Sequence, residues 1–360
     1  MSKTDTIAII GAGNGGQAMA GHLALKGFRI VLYNRTPDRL KPVDIQGGVT
    51  LEGEIEGFGA IDMVTTDIGE AVSRASVIMV VTTADGHADI ARGCAPYLRD
   101  GQTIILNPGR TGGALELRKV LEEQRSDVRV YVAEAQSLIY ACRITNPAVV
   151  RIIGIKDYVP ISAFPASDTP EVMKIARNLF DSFAPTKNVL EVSLENIGAM
   201  FHPPVVLLNT GVIERGESFL FYHSMTPRIS KFIEQLDAER IRIGKAYGFE
   251  LMSAADWIVT AYDGMQGDTL YSRIRNNPAY NNITAPTSIE TRLIIEDILT
   301  GLVPLIYLAE TAGIKVPLMR SLVEISSALI NRDFWCDGRT LDKLGLNGMS
   351  VEEILEFVNS

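Results

Sequence analysis

A glycine-rich turn near the amino terminus constrains this chain more than any other feature. The sequence GAGNGG at residues 11–16 follows a short apolar run and opens a stretch with helical spacing. In a turn of this pattern, Gly11 permits the tight bend, Gly13 lets the backbone approach a pyrophosphate, and Gly16 permits close packing of helix on strand. Asn14 marks the start of the helix, where free N–H groups favour a phosphate. The pattern predicts dinucleotide binding, and the alternative is a glycine turn without a ligand.

The amino-terminal part of the chain alternates short apolar runs with helical patterns. Apolar runs of this length suit strands that are buried on both faces of a parallel sheet. Their alternation with helices implies right-handed crossovers. We therefore expect a doubly wound α/β domain of the Rossmann type. The strand candidates are Ile7–Ile10, Ile30–Tyr33, Val77–Val81, Thr103–Leu106 and Val128–Val132, and the helix candidates are Gly15–Lys26, Ile68–Ser73, Gly86–Tyr97 and Gly112–Gln124.

Two stretches interrupt this alternation, and the character of the chain changes after them. Gly48–Thr66 alternates apolar and polar residues around glycines, which predicts an inserted hairpin. Val149–Pro165 also predicts strands, and a helix near Pro170–Ser182 follows. We expect a dinucleotide-binding domain over residues 1–187 and an all-helical domain over residues 188–360. The helix candidates of the second domain are Val205–Glu214, Arg228–Tyr247, Met252–Tyr262, Ile289–Leu299, Leu302–Ala312 and Met319–Ile330.

Charge and composition exclude several classes of protein. The 34 basic and 43 acidic side chains give a net charge of −9, which disfavours general binding to nucleic acids or to anionic membranes. The sequence has no window near the roughly 18 uninterrupted apolar residues of a membrane span. The 3 cysteines lack a CxxC pattern, so we expect neither a disulfide framework nor a metal site. Because the first residues contain no signal-peptide core, we expect a cytoplasmic protein.

The residues after the second strand candidate predict which dinucleotide is bound. In this fold that place contacts the adenosine ribose, and an acidic residue there favours NAD. The chain has Asn34, Arg35 and Thr36 instead, about 20 residues beyond the glycine turn. A guanidinium and two neutral donors suit a 2′-phosphate, so we expect NADP(H), with NAD(H) as second choice and a solvated loop arginine as the alternative. Thr82 and Thr83, after the third strand candidate, are expected at the same crevice.

A second glycine-rich loop, Asn107–Gly113, follows the next strand candidate. Loops at the carboxyl ends of parallel strands face one crevice. This loop could bring backbone N–H groups to the nicotinamide or to a keto-acid carboxylate, or it could only start a helix, and the sequence leaves both open.

A reduction by a nicotinamide needs a proton donor, and histidine suits acid–base work because its usual pKa lies nearest neutrality. His202 lies at the expected start of the helical domain. Pro203 and Pro204 follow it and predict a helix that starts there, which would place the imidazole at the end of an element. A packed or capping histidine is the alternative. The remaining histidines are less favoured as catalytic groups: His22, His87 and His223.

Three charged residues share one predicted helix. Arg292 and Glu296 are four residues apart, so a surface ion pair would account for them. Asp297 projects on a different side, where apolar neighbours would make an unpaired carboxylate costly. A histidine partner would remove that cost.

Taken together, these residues resemble the opine dehydrogenase family, of the octopine and nopaline dehydrogenase type, over nearly the whole chain. The resemblance implies a reversible reaction in which an α-keto acid, such as pyruvate, condenses with the amine of an L-amino acid to an imine that NAD(P)H reduces. It also implies a homodimer. Beyond the glycine turn it rests on more specific stretches, namely Leu106–Gly109, Thr111–Glu116, Met200–Pro203, Leu236–Ile241, Asn277–Tyr280, Glu296–Asp297, Thr300–Pro304 and Gly338–Leu341.

The same resemblance implies roles for four residues. His202 would be the acid–base group, and Asp297 would pair with it, fix its tautomer and support its charged form. Arg292 would bind a substrate carboxylate, a task that suits a planar guanidinium. Glu134 would meet the ammonium group of the amino acid.

Two other functions remain open from the sequence. A keto-acid reductase with the architecture of the ketopantoate reductases would share the inserted strands and the helical second domain. That architecture leads us to expect a catalytic lysine at the domain junction, where this chain has His202 and no lysine between Lys187 and Lys231. A dinucleotide-sensing regulator without catalysis is the third hypothesis, and the presence of His202, Arg292 and Asp297 argues against it.

Overall fold

The structure, a computed structural model, describes residues 5–124, 127–261 and 266–360. It divides the chain into two compact units. The first holds the residues up to Gly109 together with Gly113–Val189 and Val358–Ser360. The second holds Arg110–Gly112 and Leu190–Phe357.

The first unit is built on an eight-stranded sheet and a smaller four-stranded sheet. Its strands are β1 (Thr6–Ile10), β2 (Arg29–Tyr33), β3 (Gly48–Gly53), β4 (Gly57–Ala60), β5 (Met63–Thr65), β6 (Val77–Val80), β7 (Thr103–Leu106), β8 (Tyr131–Ala135), β9 (Tyr140–Asn146), β10 (Val149–Ile155), β11 (Val159–Phe164) and β12 (Phe183–Pro185).

The large sheet has the strand order β12-β11-β8-β7-β6-β1-β2-β5. Neighbours from β8 to β5 run parallel, whereas β11 lies antiparallel to β8. Every residue of β6 and β7 is buried, as expected where both faces of a parallel sheet are covered. The order places β1 and the turn after it in the interior of the sheet, between β6 and β2. The predicted doubly wound α/β domain is confirmed, although β8 begins at Tyr131 rather than at Val128.

The helices of the first unit connect these strands. They are α1 (Asn14–Leu25), α2 (Lys41–Gln46), α3 (Ile68–Arg74), α4 (His87–Cys94), α5 (Gly113–Gln124) and α6 (Thr169–Leu179).

The small sheet is formed by the inserted segment and by strands from much later in the chain. The predicted hairpin is present as the antiparallel pair β3 and β4. Its inner strand β3 also pairs in parallel with β10, which pairs antiparallel with β9. The sheet lies close to α1 because of paired glycines, since a Cβ atom on Gly59 would lie 2.7 Å from the Cα of Gly21. The last part of the insert, β5, leaves the hairpin and joins the large sheet beside β2.

The second unit is helical, as the sequence predicts. A π-helical turn, Ile298–Leu302, joins the helix Arg292–Asp297 to the helix Val303–Thr311. The carboxy-terminal end of the predicted helix Met252–Tyr262 lies outside the described residues. The helices that follow α6 are α7 (Val189–Leu194), α8 (Gly198–Leu207), α9 (Thr210–Glu214), α10 (Pro227–Ala246), α11 (Ala254–Ala261), α12 (Leu270–Arg275), α13 (Arg292–Asp297), α14 (Val303–Thr311), α15 (Pro317–Ile330), α16 (Phe334–Asp337) and α17 (Val351–Asn359).

One helix boundary differs from the sequence-based prediction in a way that affects the site. The expectation that a helix starts at the two prolines after His202 is wrong, because α8 begins at Gly198 and holds both prolines inside it. The prolines lie in the second turn, where they cannot donate to the carbonyl groups of the first. His202 therefore points from the middle of a helix. Among the described helices, none combines the length and the apolar character that crossing a membrane requires.

Candidate functional site

The glycine turn of the first unit has the geometry that its sequence predicts. Gly11 has φ +113°, and a Cβ atom there would lie 2.6 Å from the carbonyl oxygen of Val81. A Cβ atom on Gly16 would overlap the carbonyl oxygen of Gly11. Helix α1 starts at Asn14 without a side-chain cap or an acidic residue in its first turn. The start of α1 is therefore a suitable place for an anion.

Two asparagines hold this turn in place. The Oδ1 atom of Asn34 accepts a hydrogen bond from the N–H of Ala12 at 3.1 Å, and its Nδ2 atom donates to Thr36. The Oδ1 atom of Asn14 accepts from the N–H of Ile144 at 3.0 Å. The side chains of Asn14 and Asn34 are thus engaged with the protein, and the structure gives them a positioning role beside the predicted cofactor site.

Two arginines follow β2 close to the glycine turn. Arg35 and Thr36 are exposed, as a contact with a cofactor phosphate requires. Arg39, which the sequence reasoning missed, is also exposed, and its Nη1 atom lies 3.8 Å from the position of a Cβ on Gly13. Among the described residues neither arginine forms an ion pair. This edge of the turn therefore carries two cations.

The two threonines after β6 lie differently. The methyl group of Thr82 packs at Gly11, and its hydroxyl is buried without a hydrogen-bond partner among the described residues. The carbonyl of Thr83 accepts the N–H of Gly86 and starts a short 3-10 turn. Thr82 therefore lies against the glycine turn.

Glu134 has a structural contact that the sequence did not predict. Its side chain is fully buried, and Oε2 accepts the N–H of Ala114 at 2.6 Å in the first turn of α5. Gly109 and Gly113 leave the space that its carboxylate occupies. A carboxylate at the start of a helix is favoured by the helix dipole. The predicted contact with a substrate ammonium stays a prediction.

In the second unit, α8 and α13 bring His202 and Asp297 together. The Nδ1 atom of His202 lies 2.7 Å from Oδ2 of Asp297, whose side chain is 1% exposed. Because an ionised carboxylate only accepts, Nδ1 carries the proton of this hydrogen bond. The other ring nitrogen, Nε2, lies 3.3 Å from the hydroxyl of Tyr222. The imidazole therefore has a fixed tautomer in its neutral form, with Nε2 as the nitrogen that gains and loses a proton.

Arg110 stands on the other side of the same carboxylate. Its Nη1 atom lies 3.4 Å from Oδ1 of Asp297, and its Nε atom lies 3.3 Å from Oε1 of Glu296. Burial would raise the pKa of Asp297, but the charges of Arg110 and His202 outweigh burial and lower it. Burial would likewise lower the pKa of Arg110, and the two carboxylates outweigh it and raise it. Both groups are therefore charged in the folded protein.

Arg292 and Glu296 form the ion pair that their spacing predicts, but only one of them is at the surface. The Nη1 atom of Arg292 lies 3.4 Å from Oε2 of Glu296. The side chain of Arg292 is 57% exposed and that of Glu296 only 3%. A buried carboxylate thus holds a guanidinium whose remaining donors face outward.

Sequence reasoning missed Arg110 and Tyr222 as members of this cluster. Arg110 was visible only as part of a glycine-rich loop, and its φ of +62° has no signal in the sequence. Tyr222 lies in a short 3-10 turn, and its ring stacks on that of Tyr280 with centroids 3.9 Å apart. An aromatic residue in a loop has no spacing that would reveal its partners.

His22 and His87 belong to the first unit. His22 pairs with the hydroxyl of Tyr140 at 2.8 Å, and burial together with the charge of Lys26 lowers its pKa to about 4. His87 is completely buried at the start of α4. His223 follows Tyr222 in the 3-10 turn. Within the second unit, His202 is in contact with the carboxylate of Asp297.

Both parts of the chain match models of known protein families. Residues 185–330 match the alpha-helical domain of the NAD/NADP octopine/nopaline dehydrogenases. Residues 6–111 match the NAD binding domain of 6-phosphogluconate dehydrogenase. The first match covers the residues of α8 and α13, and the second covers the glycine turn.

Individual relatives match over the full length. An opine dehydrogenase of Arthrobacter sp. (strain 1C) is 38% identical, with 99% of this chain and 100% of the relative covered. A vitopine synthase of Allorhizobium ampelinum is 26% identical over 100% of this chain and 99% of its own. An octopine dehydrogenase solved in complex with NADH and agmatine has a TM-score of 0.82 at 21% identity, covering 98% of both chains. This last likeness concerns the fold.

Proposed function

This chain belongs to the opine dehydrogenase family, and from that premise we propose how its own residues carry out the reaction. The protein is an NAD(P)-dependent oxidoreductase acting on CH–NH bonds, and it condenses an α-keto acid reductively with the amine of an amino acid. The amine adds to the keto carbon, water leaves to form an imine, and one hydride and one proton convert the imine to a secondary amine. The nicotinamide cofactor supplies that hydride when it is bound.

His202 is the proposed acid–base group, and its 2.7 Å contact with Asp297 is the observation that carries this assignment. Asp297 holds the Nδ1 proton, so Nε2 is the atom that exchanges a proton with substrate. In the forward direction Nε2 donates the proton with which the hydroxyl of the amine adduct leaves as water. In the reverse direction Nε2 of neutral His202 accepts a proton from the water that adds to the imine. Tyr222 contacts Nε2 and holds the ring until a substrate takes that position.

Arg292 is the proposed contact for a substrate carboxylate. Its guanidinium is anchored through Glu296 and leaves further donors at the surface, an arrangement that suits bidentate binding of a planar anion. Both substrates of the reaction carry a carboxylate, and a keto acid offers no other charged group. We therefore assign the keto acid to Arg292. The amino-acid ammonium remains assigned to Glu134 from the sequence alone.

NADP(H) is the proposed cofactor, and the exposed Arg35 and Arg39 support it. Thr36 adds a hydroxyl, whereas the amide of Asn34 is already used to hold the turn. Replacing Arg35 with methionine should weaken NADPH binding by about tenfold or more, because one charge-assisted hydrogen bond contributes about 1.5–3 kcal/mol. Binding of NADH should stay unchanged. The measurement is titration of each cofactor by fluorescence, with R92M, from an exposed ion pair with Asp89, as the control. Equal losses for both cofactors would contradict the assignment.

The reaction itself is tested by following NADPH consumption with pyruvate, other keto acids and a panel of amino acids, each alone and in pairs. We expect turnover only when both partners are present. Turnover with a keto acid alone would instead indicate a hydroxy-acid reductase. Cofactor binding without turnover for any pair would favour a dinucleotide-sensing regulator.

We propose that residues 1–187 bind the dinucleotide and that residues 188–360 supply the substrate site, with Arg110 added to the latter because it packs in the second unit. A homodimer is expected from the family resemblance. A cytoplasmic location is expected from the sequence.

A further inference from the structure

The side chain of Arg110 links the two charged pairs of the candidate site. Asp297 uses Oδ2 for His202 and faces Arg110 with Oδ1, while Glu296 uses Oε2 for Arg292 and faces Arg110 with Oε1. The Arg110 side chain is 12% exposed. The buried guanidinium of Arg110 therefore contacts two carboxylates. The carboxylate of Asp297 orients His202, the proposed acid–base group. The carboxylate of Glu296 holds Arg292, the proposed contact for the substrate carboxylate.

The segment that carries Arg110 is fixed from several sides within the second unit. Thr111 donates its hydroxyl to the carbonyl of Ser193 and its N–H to the carbonyl of Thr300, at 3.1 and 2.9 Å. The Nη1 atom of Arg339, a buried side chain, donates to the carbonyl of Thr111 at 3.1 Å. Arg110 itself has φ +62°, a conformation that L residues rarely adopt.

We propose that Arg110 is a positioning residue for the acid–base step, holding Asp297 and Glu296 so that His202 and Arg292 keep one defined arrangement; this rests on the function proposed above. Its charge also balances the cluster, because Arg110 and Arg292 together offset the charges of the two carboxylates. Without Arg110 the cluster has one excess negative charge beside His202. The protonated imidazole is then favoured over the neutral one.

Other charged groups near α8 are engaged elsewhere. Helix α10 brings Asp237 and Arg240, which pair with each other at 2.7 Å. Helix α15 brings Arg320, which pairs with Glu310, and Glu324, which accepts from the indole of Trp335. The charged groups linked to His202 are therefore Asp297, Arg110, Glu296 and Arg292, and the hydroxyl of Tyr222 lies at Nε2.

The test is the pH profile of kcat/KM for opine oxidation, in which neutral His202 must accept a proton. At low pH, kcat/KM falls as the pH decreases, and this part of the profile is its acid limb. In Arg110→Met the acid limb should move up by about one pH unit, so that kcat/KM at a given pH on the limb falls about tenfold. The KM for the keto acid in the forward direction should also rise. Arg110→Lys keeps the charge but not the fork of donors, so its limb should stay near that of the unchanged protein while its KM still rises. R215M, from an exposed pair with Glu217, should change neither quantity.

A second variant displaces the guanidinium without changing any charge. A Cβ atom on Gly198 would collide with Nη1 of Arg110 and lie 3.2 Å from Oδ1 of Asp297. Gly198→Ala should therefore raise the keto-acid KM and move the limb in the same direction, by less than Arg110→Met. Gly211→Ala is the matched control, because its Cβ would have ordinary contact with Arg215 at 3.5 Å.

Each result decides the proposal. Loss of rate at every pH with an unmoved limb in Arg110→Met, or an unchanged KM in Arg110→Lys, would overturn it and leave a merely structural role. Should Arg110→Met fail to fold, as judged by thermal melting and NADPH binding, Arg110→Lys and Gly198→Ala still give the answer. Absence of paired-substrate turnover in the unchanged protein would instead overturn the proposed function.

Discussion

The glycine turn of the first unit and the acid–base cluster of the second are specified in opposite ways. The turn is one unbroken stretch, residues 11–16, and its geometry follows from the absence of side chains at Gly11 and Gly16. The cluster draws Arg110, His202, Tyr222 and the helix Arg292–Asp297 from separate parts of the chain. A backbone site can therefore be recognised from local sequence, whereas a side-chain site depends on which elements pack together.

The largest effect is expected from removing the acid–base group. His202→Ala should lower kcat by about 10²–10⁴-fold, the usual contribution of a positioned acid–base residue. Binding of NADPH should be unchanged, because the residues of the glycine turn belong to the first unit. Steady-state rates and a cofactor titration measure the two quantities. Full activity of the variant would contradict the assignment of His202 as the acid–base group. Loss of NADPH binding would contradict the assignment of cofactor binding to the glycine turn alone.

The next effect is expected at the turn. Gly16→Ala adds a methyl group where the carbonyl of Gly11 already lies, so the turn must open. Overpacking of this kind costs about 2–3 kcal/mol, which corresponds to roughly hundredfold weaker cofactor binding. Isothermal titration with NADPH gives the value. The control is G154A, where a Cβ atom meets nothing within 4 Å; similar losses in both variants would show that the tight turn is not the cause.

A smaller effect is expected at the carboxylate clamp. Arg292→Met should raise the KM for the keto acid by about 10–100-fold, because a charge-assisted hydrogen bond to the substrate is lost. The kcat should change less, since His202 and Asp297 keep their contact. Initial rates at varied keto-acid concentration separate the two constants. If R292M raised the KM for the amino acid alone, the assignment of the two substrates would have to be exchanged.

The smallest effect concerns acid stability of the first unit. Folding lowers the pKa of His22 from its ordinary value of 6.5 to about 4. Below about pH 6.5, His22 therefore binds a proton more readily in the unfolded chain than in the folded protein. The stabilisation is complete above about pH 6.5 and is lost as the pH falls towards 4. Allowing for solvent screening of a partly exposed ring, we expect a loss of about 1–2 kcal/mol. Denaturant unfolding at pH 7 and pH 4.5 measures it, and His22→Gln should remove that share of the pH dependence.

The fold shows the same division between local and distant information. The parallel strands and α1 could be predicted because buried runs and a glycine turn have local signatures. The pairing of β3 with β10 could not, since nearly 100 residues separate them and many partners would satisfy the same alternation. The start of α8 was misplaced because prolines usually mark the first turn of a helix and here lie in the second.

The same distinction between local and distant information applies to the candidate site. The spacing of Asp297 left open an inward carboxylate that a histidine partner would satisfy, and the structure brings His202 to it. Arg110 could not be foreseen, because its place depends on a left-handed backbone conformation and on anchoring by Ser193, Thr300 and Arg339. For Glu134 the resemblance implied a substrate contact. The structure shows in addition that Glu134 accepts a hydrogen bond from the first turn of α5, which no spacing in the sequence revealed.

The central claim, that hydride reduces an imine joining two substrates, is tested most directly by following the hydride. NADPH carrying deuterium at the transferred position is supplied with a keto acid and an amino acid, and the products are analysed by mass spectrometry. We predict deuterium on the former keto carbon of a secondary amine that contains both substrates. Deuterium in a hydroxy acid, with the amino acid recovered unchanged, would contradict the account.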